Sequence, residues 1–344
     1  MLVRNLLYTK GLFKVHSFDI HTIGVGNLSM GGDGKSPMVE YLVSLCKENR
    51  LKPAVLSRGY RRETRGFVYA QPHHNSNTLG DEPYLFYSKY DISVAVDENR
   101  VRGMSKIVKM PGFDSEVIVL DDVYQHRSVN PGLLILVSDF QRPFYSDRVL
   151  PSGRLREFPE AANRADIIVF TKTPERITAM EMKSMIKDFK LLAHQKVFFC
   201  YTKYGELFHA SNPKQTINTL KELCHLKVIL FSGIANPEPM ITYLSEYAVS
   251  VHPITYPDHH PYTLQDLEQI QKYFEAFTTQ QKIIVTTEKD LMRLKNPAIW
   301  SRVSKMAIYV LPIYFSFKEK QAEFDDLIIN YVRRTKPYAD LLKK

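Results

Sequence analysis

The chain has few cysteines and no long apolar run. Its 344 residues include three cysteines, Cys46, Cys200 and Cys224, and none of them forms a CxxC pair. This spacing argues against a disulfide framework and against a zinc site. No apolar stretch approaches the ~20 residues that a membrane-spanning helix needs, and Arg4 and Lys10 interrupt the N-terminal segment too early for a signal peptide. The sequence therefore predicts a protein that stays on the cytoplasmic side.

Acidic residues are the minority among the charged ones. There are 46 Lys and Arg against 37 Asp and Glu, which gives a formal net charge of +9. A basic chain favours anionic partners such as nucleic acid, phosphorylated substrates or an acidic membrane face, and charge alone does not choose among them. The content of 44% hydrophobic and 24% charged residues is typical of a soluble globular protein long enough for two domains.

Short β-branched runs alternate with helix-like stretches in the first 195 residues. This alternation predicts an α/β fold with a buried parallel sheet over residues 1–195. The predicted strands are 21–26, 52–57, 91–96, 116–122, 133–140 and 165–170, and the predicted helices are 35–50, 80–90, 98–109 and 174–194.

The pattern changes after residue 195 and predicts a second, smaller α/β domain over 211–306. Predicted strands at 227–234, 248–254 and 282–287 alternate there with helices near 236–246 and 263–277. Residues 196–210 and 307–316 are expected to cross between the domains as a two-stranded linker. A C-terminal helix within 317–344 is expected to pack back on the first domain.

A glycine-rich stretch, LSMGGDGKSP (28–37), lies between predicted strand 21–26 and predicted helix 35–50. The pattern G-x-x-x-x-G-K-[ST] in this position is typical of a phosphate-binding loop. Gly34, Lys35 and Ser36 supply the end of the pattern, and Ser29 stands where its first glycine is expected. A glycine-rich turn with an incidental lysine is the alternative, but the length and placement of the stretch favour a loop that binds a nucleoside triphosphate.

The residue types in this loop suit phosphate oxygens. Gly31 and Gly32 permit positive φ and let backbone N–H groups approach an oxygen closely, and the following helix would point its N-terminus at the phosphates. Lys35 would bridge the β- and γ-phosphates, and Ser36 would hold Mg²⁺. The predicted nucleotide-binding residues are Ser29, Met30, Gly31, Gly32, Asp33, Gly34, Lys35 and Ser36.

A pair of carboxylates ends a second apolar strand. In EVIVLDD (116–122) the strand runs into Asp121 and Asp122, and carboxylates at a strand end beside a phosphate loop lie on the Mg²⁺ side of such a site. A solvated strand end is the alternative for an isolated Asp pair. The residues leave open which of the two is nearer the metal. The two motifs together predict nucleotide binding and do not identify the phosphate acceptor.

Eight motifs follow one another along the chain. They are VGNLSMGGDGKSP (25–37), LSRGYRR (56–62), GDEP (80–83), VLDDVYQH (119–126), LPSGRLREF (150–158), FSGIANPEPM (231–240), YPDHHPYT (256–263) and TTEKDLMRL (286–294). In this order they resemble the tetraacyldisaccharide 4'-kinase family, the lipid A 4'-kinases, over about residues 4–315. Ser29 supports the resemblance, because the family carries Ser or Thr at that position of the loop.

The resemblance implies a fold, an activity and a location. The fold is a P-loop NTPase-type α/β core with a second, smaller α/β domain. The activity is phosphorylation of the 4'-hydroxyl of tetraacyldisaccharide 1-phosphate, with ATP and Mg²⁺ as cofactors, in lipid A biosynthesis. The location is peripheral, at the cytoplasmic face of the inner membrane, where the acylated disaccharide phospholipid is the substrate. No nucleic-acid module and no obligate protein partner is expected.

A sugar hydroxyl needs a group that accepts its proton. The motif GDEP offers Asp81 and Glu82, between which the residues themselves do not decide, and Asp81 could instead cap the following helix. The resemblance implies Asp81 as the general base and a histidine of the DHH motif as its partner, with His259 favoured over His260. Because the two motifs fall in different predicted domains, domain closure would complete the site and exclude water.

Arginines are dense around the predicted cleft, where bidentate guanidinium groups suit phosphate oxygens, although a single arginine is commonly a solvated surface charge. They are Arg58, Arg61, Arg62, Arg100, Arg102, Arg154 and Arg156. The resemblance favours Arg102 and Arg156 among them, to stabilise the transferring phosphoryl group or to hold the 1-phosphate of the substrate. It also favours Glu157, as a metal-side or an orienting carboxylate. The expected substrate-binding residues are Tyr60, Arg61, His126 and Arg156.

The N-terminal segment MLVRNLLYTKGLFK is expected to lie in the membrane interface as a short amphipathic segment, since the substrate is acylated. It is shorter than the apolar, basic helix that precedes the first strand in the family. Three other readings stay open from the residues alone: a nucleotide-driven switch or metal-delivery NTPase, a nucleic-acid-associated ATPase, and a membrane-surface scaffold that binds nucleotide without turnover.

Overall fold

The computed structural model describes residues 2–217 and 220–334. Its strands are β1 (His21–Gly26), β2 (Pro53–Ser57), β3 (Val68–Tyr69), β4 (Ser93–Val96), β5 (Val117–Leu120), β6 (Leu133–Asp139), β7 (Ile167–Thr171), β8 (Lys196–Tyr204), β9 (Leu207–His209), β10 (Thr216–Ile217), β11 (Lys227–Ser232), β12 (Ser250–Thr255), β13 (Lys282–Thr287), β14 (Ile308–Leu311) and β15 (Ile313–Phe317).

The helices lie between these strands and at both ends of the described chain. They are α1 (Leu2–Thr9), α2 (Lys35–Glu48), α3 (Ser76–Leu79), α4 (Asp81–Tyr90), α5 (Arg100–Ile107), α6 (Ala179–Lys187), α7 (Glu238–Ser245), α8 (Leu264–Glu275), α9 (Glu288–Leu294), α10 (Pro297–Val303) and α11 (Gln321–Arg333). Short 3₁₀ helices cover Phe144–Ser146, Pro159–Arg164 and Leu220–His225.

The larger sheet has the order β15-β8-β7-β6-β1-β5-β2-β4-β3 within the described residues. Its pairs from β8 to β4 are parallel, and the edge strands β15 and β3 are antiparallel. The central strands are buried on both faces, as in β5, where all four residues are buried. This is why they read as continuous apolar runs in the sequence. The predicted α/β class with a parallel sheet is confirmed.

The smaller sheet has the order β10-β9-β14-β13-β11-β12 within the described residues. Strands β14, β13, β11 and β12 are parallel, and β9 and β10 add antiparallel pairs. Helix α8 packs on one face through Leu267 and Ile270, which share a core cluster with Ile284 and Ile308 of the sheet. Helix α7 covers the other face through Met240.

The two segments that were expected to cross between the domains, 196–210 and 307–316, contain strands of both sheets. Strands β8 and β15 pair antiparallel in the larger sheet, whereas β9 and β14 pair antiparallel in the smaller one. The chain therefore passes between the sheets at residues 205–206 and at Pro312, where the Gly205 amide donates to the Pro312 carbonyl at 2.9 Å.

Helix α11 packs back on the larger sheet. Phe324 and Ile328 are fully buried in the same core cluster as Val25 of β1, and the Tyr331 hydroxyl donates to the Thr22 carbonyl at 3.1 Å. The remainder of the predicted C-terminal helix, residues 335–344, lies outside the described residues. Helix α6 is shorter than the predicted 174–194, because a capping box of Thr178 and Glu181 starts it only at Ala179.

Candidate active site

The phosphate loop connects β1 to α2 at the carboxyl end of the larger sheet. Gly34 is the N-cap of α2 and has φ of 90°, a conformation that suits glycine. The Thr171 hydroxyl, at the end of β7, donates to the Asp33 carbonyl at 2.7 Å, and the Met30 amide donates to the Arg154 carbonyl at 2.7 Å. These two bonds attach the loop to the end of β7 and to the segment that contains Arg154. The N-terminus of α2 points towards the loop.

Side-chain bonds within the loop hold its shape. The Ser29 hydroxyl and the side-chain amide of Asn27 both donate to Asp33 Oδ2, and the Asn27 Nδ2 bond is 2.9 Å long. Beyond them the loop is open, because Cβ atoms added to Gly31 or Gly32 would meet nothing within 4 Å. The backbone there is accessible to a ligand.

Lys35 and Arg156 converge on Asp122. Lys35 Nζ lies 3.6 Å from Asp122 Oδ1 and 3.0 Å from Asn27 Oδ1, and Arg156 Nη2 lies 3.2 Å from Asp122 Oδ1. Burial alone would raise the pKa of Asp122, but the neighbouring Lys35 and Arg156 hold the pKa of that carboxyl well below its usual range. Asp122 therefore stays ionised at a lower pH than Asp121 does.

Asp121 is in a different environment. It is buried and accepts a bond from the Ser57 hydroxyl at 2.8 Å. Burial, together with the adjacent Asp122 charge, raises the pKa of Asp121 to about 6. Buried Arg100 donates to the Asp121 carbonyl at 2.8 Å, and its burial lowers the pKa of the guanidinium to about 10.

Oxygen donors around α2 suit a magnesium ion. The Ser36 hydroxyl and the two carboxylates Asp121 and Asp122 are hard ligands of the kind that Mg²⁺ takes in nucleotide sites, where phosphates and water complete the shell. The described residues contain no group of three or more His, Cys, Asp or Glu side chains that could hold a metal by themselves. The hydroxyl and carboxylate oxygens by their chemistry suit Mg²⁺.

Asp81 is the first residue of α4 and does not cap it. The N-cap is Gly80, with φ of 94°, so the expected alternative role of Asp81 as an N-cap is wrong. His259 Nδ1 lies 2.8 Å from Asp81 Oδ2. His260 points elsewhere, with Nε2 at 3.1 Å from Asp266 Oδ2. The structure thus pairs Asp81 with the first histidine of the DHH motif.

Arg293 of α9 contacts the same carboxylate oxygen. Its Nε donates to Asp81 Oδ2 at 3.0 Å, and its Nη1 donates to the Gly233 carbonyl and to Asp290 Oδ1, each at 3.0 Å. The Arg293 side chain is buried, and Nη2 has no hydrogen-bond partner among the described residues. Sequence reasoning missed this contact, although Arg293 lies within the TTEKDLMRL motif.

Lys289, one helical turn before Arg293, joins the smaller sheet to the phosphate loop. Its Nζ lies 2.8 Å from Glu82 Oε1 and 3.3 Å from the Ser36 hydroxyl. Burial by itself would raise the pKa of Glu82, but the Lys289 ammonium lowers it to about 2. The spacing of Lys289 and Arg293 places both on one face of α9, which is the signal that could have identified them.

Two expected site residues have other partners in this structure. Arg102 donates from Nε and Nη2 to the two carboxylate oxygens of Asp97, at 2.9 and 2.7 Å, and contacts Glu98 at 3.0 Å. Its role at the transferring phosphoryl group stays a prediction. On α5 the neighbouring Arg100 faces the buried side, so Arg102, two residues further, faces outward.

Glu157 is the second of these residues. Its Oε2 lies 2.9 Å from Arg164 Nη2 and 2.6 Å from Asn5 Nδ2 of helix α1. Its role as a metal-side or orienting carboxylate stays a prediction.

Two of the other expected substrate residues, Tyr60 and Arg61, lie at the rim beside the Asp81–His259 pair. The Tyr60 ring packs edge-on to His259 with centroids 5.5 Å apart and is 56% exposed. Arg61 Nη1 donates to the Asp258 carbonyl at 2.9 Å. His126 is partly buried, and this burial, aided by neighbouring Arg100, lowers its pKa to about 4.

Comparisons with known proteins agree on one family. The family model of LpxK, described as tetraacyldisaccharide-1-P 4'-kinase, matches residues 1–333. The chain belongs to this family. The family assignment predicted from the eight motifs is therefore confirmed.

Curated relatives and a solved structure carry the same name. The tetraacyldisaccharide 4'-kinase of Phocaeicola vulgatus is 39% identical over 337 residues, 96% of this chain and 91% of that one. That of Bacteroides thetaiotaomicron is 39% identical over 340 residues, 96% and 89% of the two chains. The "apo" form LpxK from Aquifex aeolicus in complex with ATP superposes with a TM-score of 0.72 at 27% identity, covering 96% of this chain and 94% of that one.

Proposed function

We propose that this protein transfers the γ-phosphate of ATP to the 4'-hydroxyl of tetraacyldisaccharide 1-phosphate in lipid A biosynthesis. The observation that carries the proposal is a set of contacts that joins helix α4, which begins at Asp81, to the phosphate loop. Glu82, the next residue, bonds Lys289 at 2.8 Å, and Lys289 lies 3.3 Å from the Ser36 hydroxyl at the start of α2. These contacts support a role for Asp81 as the acceptor of the hydroxyl proton, a group that in-line transfer requires near the phosphates.

One set of residues would hold ATP, and a second set would accept the proton of the hydroxyl. The loop backbone and Lys35 hold the phosphates of ATP, and Arg156 adds a second cation beside Lys35. The 4'-hydroxyl oxygen forms a bond to the γ-phosphorus while the bond to the β,γ-bridging oxygen breaks, and the hydroxyl proton passes to Asp81. His259 orients Asp81 through the 2.8 Å bond. ADP and the 4'-phosphorylated lipid leave.

Magnesium would be held on the α2 side of the loop. Ser36 with Asp121 or Asp122 would ligate it, and the ion would neutralise charge that develops on the phosphate oxygens. The position of Tyr60 and Arg61 next to His259 supports a role for both in contacting the sugar.

We also propose that the protein works while bound peripherally to a membrane, at the cytoplasmic face of the inner membrane. None of the helices in the described part of the chain is both long and apolar enough to cross a bilayer. Helix α1 and the turn after it instead expose apolar side chains beside the basic Lys10 and Lys14. These apolar residues are Val3, Leu6, Leu12, Phe13 and Val15.

Flotation with anionic lipid vesicles tests this attachment. The combined change Leu6→Glu and Phe13→Glu is expected to abolish co-flotation. The matched control, Leu191→Glu with Tyr273→Glu, changes two exposed residues outside the N-terminal segment and is expected to leave flotation unchanged. Equal flotation by both pairs of variants would contradict the proposal.

A transfer assay tests the chemistry. The full chain is incubated with γ-labelled ATP and tetraacyldisaccharide 1-phosphate in detergent micelles, and the lipid fraction is counted. The control acceptor carries phosphate on the 4'-oxygen already. We expect label in the first lipid and none in the second. Label in neither lipid, with release of labelled phosphate from ATP, would favour a nucleotide-driven switch instead.

A further inference from the structure

Two donors share one oxygen of Asp81. His259 Nδ1 and Arg293 Nε lie 2.8 and 3.0 Å from Oδ2. Oδ1 makes no side-chain hydrogen bond to the described part of the chain. The carboxylate is therefore fixed by one oxygen, and the other is left for a ligand.

Residues next to the smaller sheet hold the Arg293 guanidinium on the side away from Asp81. Its Nη1 bonds the Gly233 carbonyl and Asp290 Oδ1. Asp290 is fully buried and accepts three further bonds, from the Tyr262 hydroxyl at 2.8 Å, the Gly233 amide at 3.0 Å and the Thr287 hydroxyl at 2.6 Å. The guanidinium is thus part of a buried network in the smaller sheet and presents a single N–H to α4.

We propose that Arg293 is a positioning residue for Asp81, which locks Oδ2 so that Oδ1 receives the proton of the acceptor hydroxyl. The inference rests on the proposed kinase function and extends it, because it assigns the reacting atom and a residue that acts through Asp81. A base held within a narrow range of positions keeps the hydroxyl aligned with the γ-phosphate.

The geometry requires an arginine. The Nε and Nη1 groups point in different directions and bridge Asp81 on α4 to Gly233 and Asp290 behind it. The single ammonium of a lysine is a point donor on a flexible stem and does not reproduce this fixed fork. A purely structural role for Arg293, bracing the smaller sheet, is the competing explanation, and a double-mutant cycle separates the two.

The experiment uses the full chain in the lipid transfer assay with Arg293→Gln, Asp81→Asn and the double variant. We expect Arg293→Gln to lower kcat by about 10- to 100-fold with KM for ATP little changed. In the Asp81→Asn background we expect Arg293→Gln to change kcat less than about twofold, because a residue that acts through Asp81 has nothing left to position. The same fold loss in both backgrounds would overturn the proposal.

Two further variants distinguish a positioning role of Arg293 from an effect on the stability of the fold. Arg293→Lys keeps the charge and is expected to recover only part of kcat, again with KM for ATP little changed; a loss confined to KM would overturn the proposal. Tyr262→Phe removes one bond to Asp290 without touching Asp81, and is expected to lower the melting temperature while keeping kcat within about threefold. If Tyr262→Phe lowers kcat as much as Arg293→Gln, the role is structural and the proposal is wrong.

The outcomes keep the two hypotheses apart. Absence of transfer by the folded parent chain, or full transfer by Asp81→Asn, contradicts the proposed function itself. Loss of transfer in Asp81→Asn, together with additive effects of Arg293→Gln, contradicts only the positioning role.

Discussion

His259 Nδ1 lies 2.8 Å from Asp81 Oδ2, across the boundary between the two sheets. Asp81 opens helix α4 beside the larger sheet, and His259 follows β12 at the edge of the smaller one. The His259 amide donates to the Gly233 carbonyl at 3.0 Å, which fixes the turn that carries the imidazole. The proposed base and its partner are thus supplied by different parts of the chain.

His259→Gln is expected to lower kcat by about 10- to 100-fold while ATP affinity changes little, because the imidazole orients the base and does not contact the loop. Steady-state kinetics with the lipid acceptor checks this. The control is His260→Gln, since His260 bonds Asp266 and stacks on Tyr256; it is expected to keep most of kcat. A larger loss for His260→Gln than for His259→Gln would contradict the assignment.

Alanine substitutions at the three loop glycines should lower the melting temperature to different extents, because the glycines differ in backbone conformation and in the free space around them. A Cβ on Gly34 would lie 2.6 Å from Phe315 Cζ at a φ of 90°, whereas Gly31 has φ of 115° with open space and Gly32 has open space alone. Left-handed backbone costs an alanine about 1–2 kcal/mol, and the clash adds to it. Melting temperatures should therefore fall most for Gly34→Ala, less for Gly31→Ala and least for Gly32→Ala.

A second substitution separates the cost of the clash with Phe315 from the cost of backbone strain at Gly34. Adding Phe315→Leu to Gly34→Ala should restore part of the melting temperature, since it removes the ring but not the backbone strain. Equal melting temperatures for the Gly31→Ala and Gly34→Ala variants would mean that the contact with Phe315 costs nothing.

The Lys289–Glu82 pair predicts a pH dependence of stability. Lys289 lowers the pKa of Glu82 to about 2, below its ordinary value of 4.5, so the stabilisation is present above about pH 4.5 and is lost as pH falls towards about 2. Lys289→Met leaves Glu82 without this cation. The free energy of unfolding should differ most between parent and variant above about pH 5, and the difference should shrink on acidification.

Denaturant titrations over this pH range check the prediction. Lys52→Met is the control, because the Lys52–Asp114 pair is exposed to solvent and such pairs contribute little. A parent-to-variant difference for Lys289→Met that stays constant with pH would contradict it.

The strands of the parallel sheets could be predicted because strands that are buried on both faces appear in the sequence as continuous apolar runs. The predicted strands 21–26 and 282–287 coincide with β1 and β13, since every residue but the first in each is buried. The phosphate loop followed from its position between such a strand and a helix. These features depend on local sequence alone.

The contacts across the two sheets could not be predicted in the same way. Arg293 meets Asp81 only because α9 packs against α4, and nothing local in TTEKDLMRL specifies that packing. The partners of Arg102 and Glu157 were likewise not predictable. Each lies in a motif that was expected at the site, but the motif does not specify the ion pair of Arg102 with Asp97 or that of Glu157 with Arg164.

Asp81→Asn tests the central claim most directly. Parent and variant are compared for label transferred from ATP to tetraacyldisaccharide 1-phosphate and, on the same samples, for ATP affinity by calorimetric titration. The account predicts that transfer falls by about 10²- to 10⁴-fold, the usual contribution of a general base. ATP affinity is expected to stay within about threefold, because the side chains that bond Asp81, His259 and Arg293, lie outside the phosphate loop. Transfer at the parent rate, or loss of ATP binding in step with transfer, would contradict it.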